Sequence, residues 1–145
     1  MIAVDTNVLL RRLLRDDEDQ AAKARRLFEG ERPVLITDVV LAETVWTLTG
    51  KRYGATKADI QALVMSLLEE TNIVFENQQA IWSALNDFVA AQPIKTANGI
   101  KTADLADALI VNKAKIVARD QHRAYEGTYT FDQAALQIEG TKIPL

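Results

Sequence analysis

Residues 2–9 read Ile2-Ala3-Val4-Asp5-Thr6-Asn7-Val8-Leu9, an apolar run that stops at an acid. A run this short, without alternation, suits a strand buried on both faces of a parallel sheet. Val34-Leu35-Ile36-Thr37, introduced by Pro33, repeats the pattern, and Ile73-Val74-Phe75 gives a third strand. Helical spacings lie between them: Ala21, Ala24, Leu27 and Phe28; Val40, Leu41, Val45 and Leu48; and Ile60, Leu63, Val64, Leu67 and Leu68. Thr56, three residues before Asp59, offers the last of these a capped start. Strands separated by helices imply an α/β fold with a parallel sheet covered on both faces and right-handed crossovers.

The rest of the chain extends the same reading. Ile81, Leu85 and Phe88 mark a further helix, and Gln92 to Lys101, with Pro93 and Gly99, reads as a loop. A long helix is expected from about Thr102 to Tyr125, ended by Gly127. Thr128-Tyr129-Thr130-Phe131 then has the β-branched and aromatic content of a fourth strand, and Lys142 to Leu145 suits a short edge strand. No repeat, low-complexity tract or long Pro/Gly/Ser-rich linker divides the sequence, so residues 1–145 are expected to form a single domain.

Composition narrows the chemistry. The 145 residues are 48% hydrophobic and 26% charged, the balance of a chain able to bury a core. No apolar run approaches the roughly 20 residues that span a bilayer, and an acid at position 5 comes too early for a signal peptide, so the expected location is cytoplasmic. With no cysteine and a single histidine, His122, thiol chemistry and zinc centres are excluded, and any metal must be held by oxygen. A formal charge of -3 argues against broad adhesion to nucleic acid, although basic residues cluster at Arg11, Arg12 and Arg15, at Lys51 and Arg52, and at Lys113, Lys115, Arg119 and Arg123. Solvated helix faces account for most of these clusters.

The acids are the informative residues. In a parallel sheet, ligands collect beyond the carboxyl ends of the strands, where Asp5 and Asp132 fall. Helix capping explains either position equally well. Glu43 interrupts an apolar helical stretch, between Val39 and Val40 on one side and Trp46 and Thr47 on the other, and so calls for a partner. Asp104 and Asp107, three apart on one helical face, repel each other unless a cation or proton intervenes, whereas the helix dipole explains only one of them easily. If these acids converge, their oxygens suit hard, six-coordinate Mg²⁺ or Mn²⁺.

Together these segments resemble the PIN-domain family, in particular the VapC-type toxins of toxin-antitoxin pairs. Ile2 to Leu9 is similar to that family's opening strand and aspartate, and Thr37-Asp38-Val39-Val40-Leu41-Ala42-Glu43 to the segment carrying its glutamate. Asp104-Leu105-Ala106-Asp107-Ala108-Leu109-Ile110 resembles the third motif and Thr130-Phe131-Asp132 the fourth. The resemblance implies a three-layer α/β/α domain with a central parallel sheet of four or five strands. It implies that Asp5 and Asp107 bind a Mg²⁺ ion most directly, with Mn²⁺ as an alternative metal. Glu43 and Asp132 would complete the acidic pocket, Asp104 would be a less certain member, and Asn7 and Thr130 would steady their neighbours by hydrogen bonds. It further implies endoribonuclease activity on an RNA substrate, silencing by a cognate VapB-like antitoxin, and a homodimer. Ala118-Arg119-Asp120 competes for the fourth motif, but Asp107 to Asp120 is too short for a helix, turn and strand, and Lys113 to Tyr125 reads as continuing helix. Asp120 is therefore expected at the surface.

Other classes fit less well. A haloacid-dehalogenase-like phosphatase also opens with a strand and an aspartate but wants a second acid where Asn7 stands. No Gly-rich loop precedes Lys and Ser/Thr as a P-loop requires. Ser66 and Ser83 lack a nucleophile-elbow context, and His122 is expected mid-helix in a structural role. A receiver-like switch domain would need adjacent acids and a late lysine that are not found. The remaining alternatives are a PIN-fold RNA-processing nuclease outside a toxin-antitoxin pair and a catalytically weak scaffold, which would be expected to lose its acids first. Trp46 and Trp82 suit a core or an interface equally.

Overall fold

A computed structural model describes all residues, 1–145, and shows a mixed α/β chain whose contacts group into two compact units, Met1–Gln78 and Gln79–Leu145. The first unit runs β1 (Ile2–Ala3), α1 (Thr6–Leu14), α2 (Glu18–Glu29), β2 (Val34–Ile36), α3 (Asp38–Thr49), α4 (Lys57–Glu69) and β3 (Ile73–Phe75). The strands form a parallel sheet in the order β1-β2-β3, with Ile2 opposite Val34 and Val34 opposite Ile73. Parallel neighbours need crossover connections, and the helical pairs α1-α2 and α3-α4 provide them. Val34 and Ile36 are fully buried, as are Leu9, Leu41 and Val64 from the helices, so strand and helix apolar positions make the core.

Local chemistry sets the boundaries. Thr56 and Asp59 form the expected reciprocal capping box at the start of α4, Thr56 Oγ1 accepting the Asp59 amide and Asp59 Oδ2 accepting that of Thr56. At the end of α1, Arg15 takes a left-handed conformation, φ 53°, and turns the chain into α2. Arg12 then reaches Glu70 with an ion pair of 2.7 Å and stacks over the Phe28 ring at 4.2 Å. Part of that early basic cluster is thus internal bracing.

The second unit runs α5 (Gln78–Ala90), β4 (Ile94–Thr96), β5 (Gly99–Lys101), α6 (Leu105–Asp120), β6 (Thr128–Tyr129), a 3₁₀ turn (Ala135–Gln137) and β7 (Thr141–Lys142). Five sequence expectations change here. The stretch Gln92 to Lys101, expected as a loop, contains the antiparallel hairpin β4-β5, with Thr96 opposite Gly99. Gly99 turns it at φ 106°, where a side chain would be strained, and the Thr96 hydroxyl bridges the turn by accepting the Asn98 amide and donating to the Gly99 carbonyl.

The long helix is shorter than Thr102 to Tyr125, beginning at Leu105 and stopping at Asp120. From Asp120 to Arg123 the sequence offers no apolar side chain to bury, so no tertiary packing extends the helix. His122 therefore lies in an exposed turn at φ 54°, not mid-helix. The helix does run unbroken through Asp120, leaving no strand between it and Asp107. The expected fourth strand ends at Tyr129 instead of Phe131, and the edge strand is Thr141–Lys142 instead of Lys142 to Leu145. These two pair with each other in parallel, while the sheet of the first unit has three strands. No helix is long and apolar enough to cross a membrane.

Candidate acidic site

Each unit carries its own acids. In the first, Asp5 lies two residues beyond β1, in extended backbone, and caps α1: its Oδ1 accepts the Val8 amide at 2.9 Å. An N-terminal cap satisfies an otherwise orphaned helix amide and fixes the carboxylate's orientation. Thr6, the next residue, donates its hydroxyl to Glu43 Oε2 at 2.6 Å, joining the start of α1 to the middle of α3. That is the partner Glu43 called for, and it is a residue the sequence had not singled out. Asn7 is exposed and lines a shallow cleft with Arg11 and Lys23.

In the second unit, α6 places two acids on its first turn. Asp104 caps the helix through Oδ1, which accepts the Asp107 amide at 2.8 Å, and Asp107 Oδ2 accepts the Asp104 amide at 2.9 Å. A pair of acids thus forms a capping box in which both members are aspartates. The helix is held by Asn112, almost fully buried, whose side-chain amide donates to Asp87 Oδ2 of α5 at 2.7 Å and to the Ala108 carbonyl at 2.9 Å. Asp87 is a structural acid that spacing had not marked.

Asp132 stands three residues past the end of β6, not at the strand terminus. Its amide donates to Thr130 Oγ1 at 3.0 Å, and its Oδ1 accepts the Ala134 amide at 2.8 Å. This tight turn is what ends the strand early. The segment is tied to α6 from its other end, where Lys115 Nζ donates to the Glu139 carbonyl and the Tyr125 hydroxyl to that of Gly140, each at 3.0 Å.

Asp107 is the electrostatic focus of this unit. Its carboxyl is pushed up to about 6, first because half-burial penalises the charge, then because the charges of Asp104 and Asp132 oppose it; the Asp104 amide pulls the other way. Asp132 is thereby placed within electrostatic reach of Asp107. Asp120 instead pairs with its neighbour Arg119 at 2.9 Å, its side chain 58% exposed.

No group of three or more acids or imidazoles stands in a ready metal-ligating arrangement. The donor chemistry nonetheless suits a hard divalent cation. Asp5, Glu43, Asp107 and Asp132 each commit one oxygen to an internal donor, at Val8, Thr6, Asp104 and Ala134 respectively. Capping and metal binding are compatible in one carboxylate: one oxygen aims the group, and a carboxylate has a second to offer an ion.

The family model described as the PIN domain matches residues 2–120, a span that includes Asp5, Glu43, Asp104 and Asp107 and stops short of Asp132. No curated protein matches the chain.

Proposed function

Because the chain belongs to the PIN-domain family, whose nuclease-type fold generally works with a divalent metal, we propose that it is a Mg²⁺-dependent endoribonuclease and the toxin of a VapBC-type toxin-antitoxin pair. The observation that carries this reading is the setting of Asp107, a half-buried carboxylate fixed by the Asp104 amide with two further acids acting on it. Such a group is stabilised by a cation.

Asp5 and Asp107 would hold the ion, with Mn²⁺ able to replace Mg²⁺, Glu43 and Asp132 would complete its acidic surroundings, and Asp104 fixes Asp107. When bound, such an ion acidifies water and neutralises charge developing on a phosphodiester. Glu43, aimed by Thr6 through Oε2, would accept at Oε1 the proton that the attacking water loses as its oxygen bonds to phosphorus. Thr130 holds the Asp132 turn, and the whole chain of 145 residues acts as one domain.

The partners proposed are an RNA substrate, a VapB-like antitoxin and a second copy of the chain. Trp46 and Trp82, 54% and 46% exposed, support interfaces over core packing. Work on RNA fits a cytoplasmic location. Purified protein should cleave single-stranded RNA with Mg²⁺ and lose that activity in EDTA; cleavage that survives chelation would overturn the metal assignment. Expression should arrest growth, with relief by a small adjacent antitoxin gene, whereas active protein without growth arrest would point to RNA processing outside such a pair.

A further inference from the structure

Beside Asp132 lies a cleft of about 400 Å³ lined by Thr96, Asn98, Lys101, Phe131 and Gln133 together with the acid itself. That volume falls in the roughly 300–1,000 Å³ range of small-ligand sites. Its most unusual wall is Phe131, 84% exposed, a large apolar ring that contributes nothing to a core. The ring is held out on a fixed turn: Thr130 Oγ1 accepts the Asp132 amide, Asp132 Oδ1 accepts those of Ala134 and Ala135, and both alanines are buried anchors.

Across the cleft stands the β4-β5 hairpin. Its register puts Ile94, Thr96, Gly99 and Lys101 on one face and Lys95 and Ile100 on the other. The cleft-lining residues Thr96 and Lys101 both belong to the first face. Lys101 forms no ion pair, and the Asn98 and Gln133 side-chain amides make no hydrogen bond within the chain. A preset aromatic face, an uncommitted cation and two uncommitted amides match the face, phosphate and edge of one nucleotide. A paired base hides its faces in the stack, so the complement is a single strand.

We propose that this cleft seats one unpaired base of single-stranded RNA, stacked on Phe131 with its phosphate at Lys101, and so positions the strand beside Asp132. The proposal deepens, and rests on, the nuclease reading above. It assigns Phe131 and Lys101 to substrate binding and leaves the acids their metal role.

The test is fluorescence anisotropy in EDTA, where cleavage plays no part, using a short labelled single-stranded oligoribonucleotide and the same strand annealed to its complement. Wild type should prefer the single strand. Phe131→Ala should weaken binding roughly 5- to 100-fold at an unchanged melting temperature, and Phe131→Trp should restore it. Lys101→Gln should weaken binding and lower the salt slope by about one. Equal binding by wild type and Phe131→Ala, or equal binding of strand and duplex, would overturn the subsite. So would a dimer that Phe131→Ala dissociates while RNA binding is unchanged, because the ring would then be a protein contact. Wild-type cleavage with Mg²⁺ alongside Phe131-independent binding sinks the subsite and leaves the nuclease. Phe131-dependent binding without cleavage supports the subsite and sinks the nuclease.

Discussion

Asp104 and Asp107 each accept the other's backbone amide, at 2.8 and 2.9 Å, so two carboxylates are locked on a single helical turn. Helix nucleation and charge concentration are there the same feature, because the oxygens that start α6 also hold Asp107 beside a like charge.

The metal-free protein should show that conflict as a function of pH. The Asp107 carboxyl rises from 3.8 to about 6 on folding. Below 3.8 it is protonated in both states and costs nothing; between the two values the unfolded chain ionises first; above 6 the folded state bears the full penalty. Asp107→Asn keeps a carbonyl to accept the Asp104 amide and removes the charge. At neutral pH in EDTA it should stabilise the protein, by about 1 kcal/mol after allowance for solvent screening, and at pH 3.5 by nothing, ~3.5 being below both values. Calorimetric melting at the two pH values checks this, and a neutral-pH loss of stability would refute it.

Thr6 should matter through Glu43 and not through folding. Thr6→Val removes the hydroxyl bonded to Glu43 Oε2 and should lower kcat/KM about tenfold, equivalent to ~1.4 kcal/mol, with Thr6→Ser restoring activity. Single-turnover cleavage and a thermal melt separate the two effects. An unchanged rate for Thr6→Val removes the positioning role.

Asn112 is the structural counterpart. Its replacement by alanine leaves Asp87 without its amide partner and should cost about 1–3 kcal/mol, read as a lower urea midpoint at unchanged m value. A midpoint like that of wild type would mean that α5 and α6 do not depend on this bond.

The strands β1, β2 and β3 were legible because parallel strands are short apolar runs, and the α4 start was legible because Thr56 and Asp59 act within one turn. Helix α1 was not among the expected helices, although Leu9, Leu10, Leu13 and Leu14 recur at i+3 and i+4, because the stretch was read for its opening strand and Asp5. The β4-β5 hairpin was hidden by Pro93 and Gly99, which signal a break without saying that Thr96 will close the turn. The end of α6 depended on what the helix could pack against, which composition does not carry. For the site, the acids stood out as residue types, whereas the link from Thr6 to Glu43 spans 37 residues and exists only in the folded chain.

The two contenders for the last acid can be separated directly. Asp132→Asn should reduce cleavage by at least about tenfold, since Asp132 is near enough to act on Asp107, whereas Asp120→Asn at an exposed ion pair should leave it unchanged. The reverse ranking would move the fourth acid to the end of α6.

The most direct measurement is Mg²⁺-dependent cleavage of single-stranded RNA by Asp5→Asn and Asp107→Asn, each confirmed folded by circular dichroism. Both should lose roughly 100- to 1,000-fold in rate, because each removes a charge proposed to hold the ion. Undiminished cleavage in both variants would contradict a metal-centred reaction at these acids.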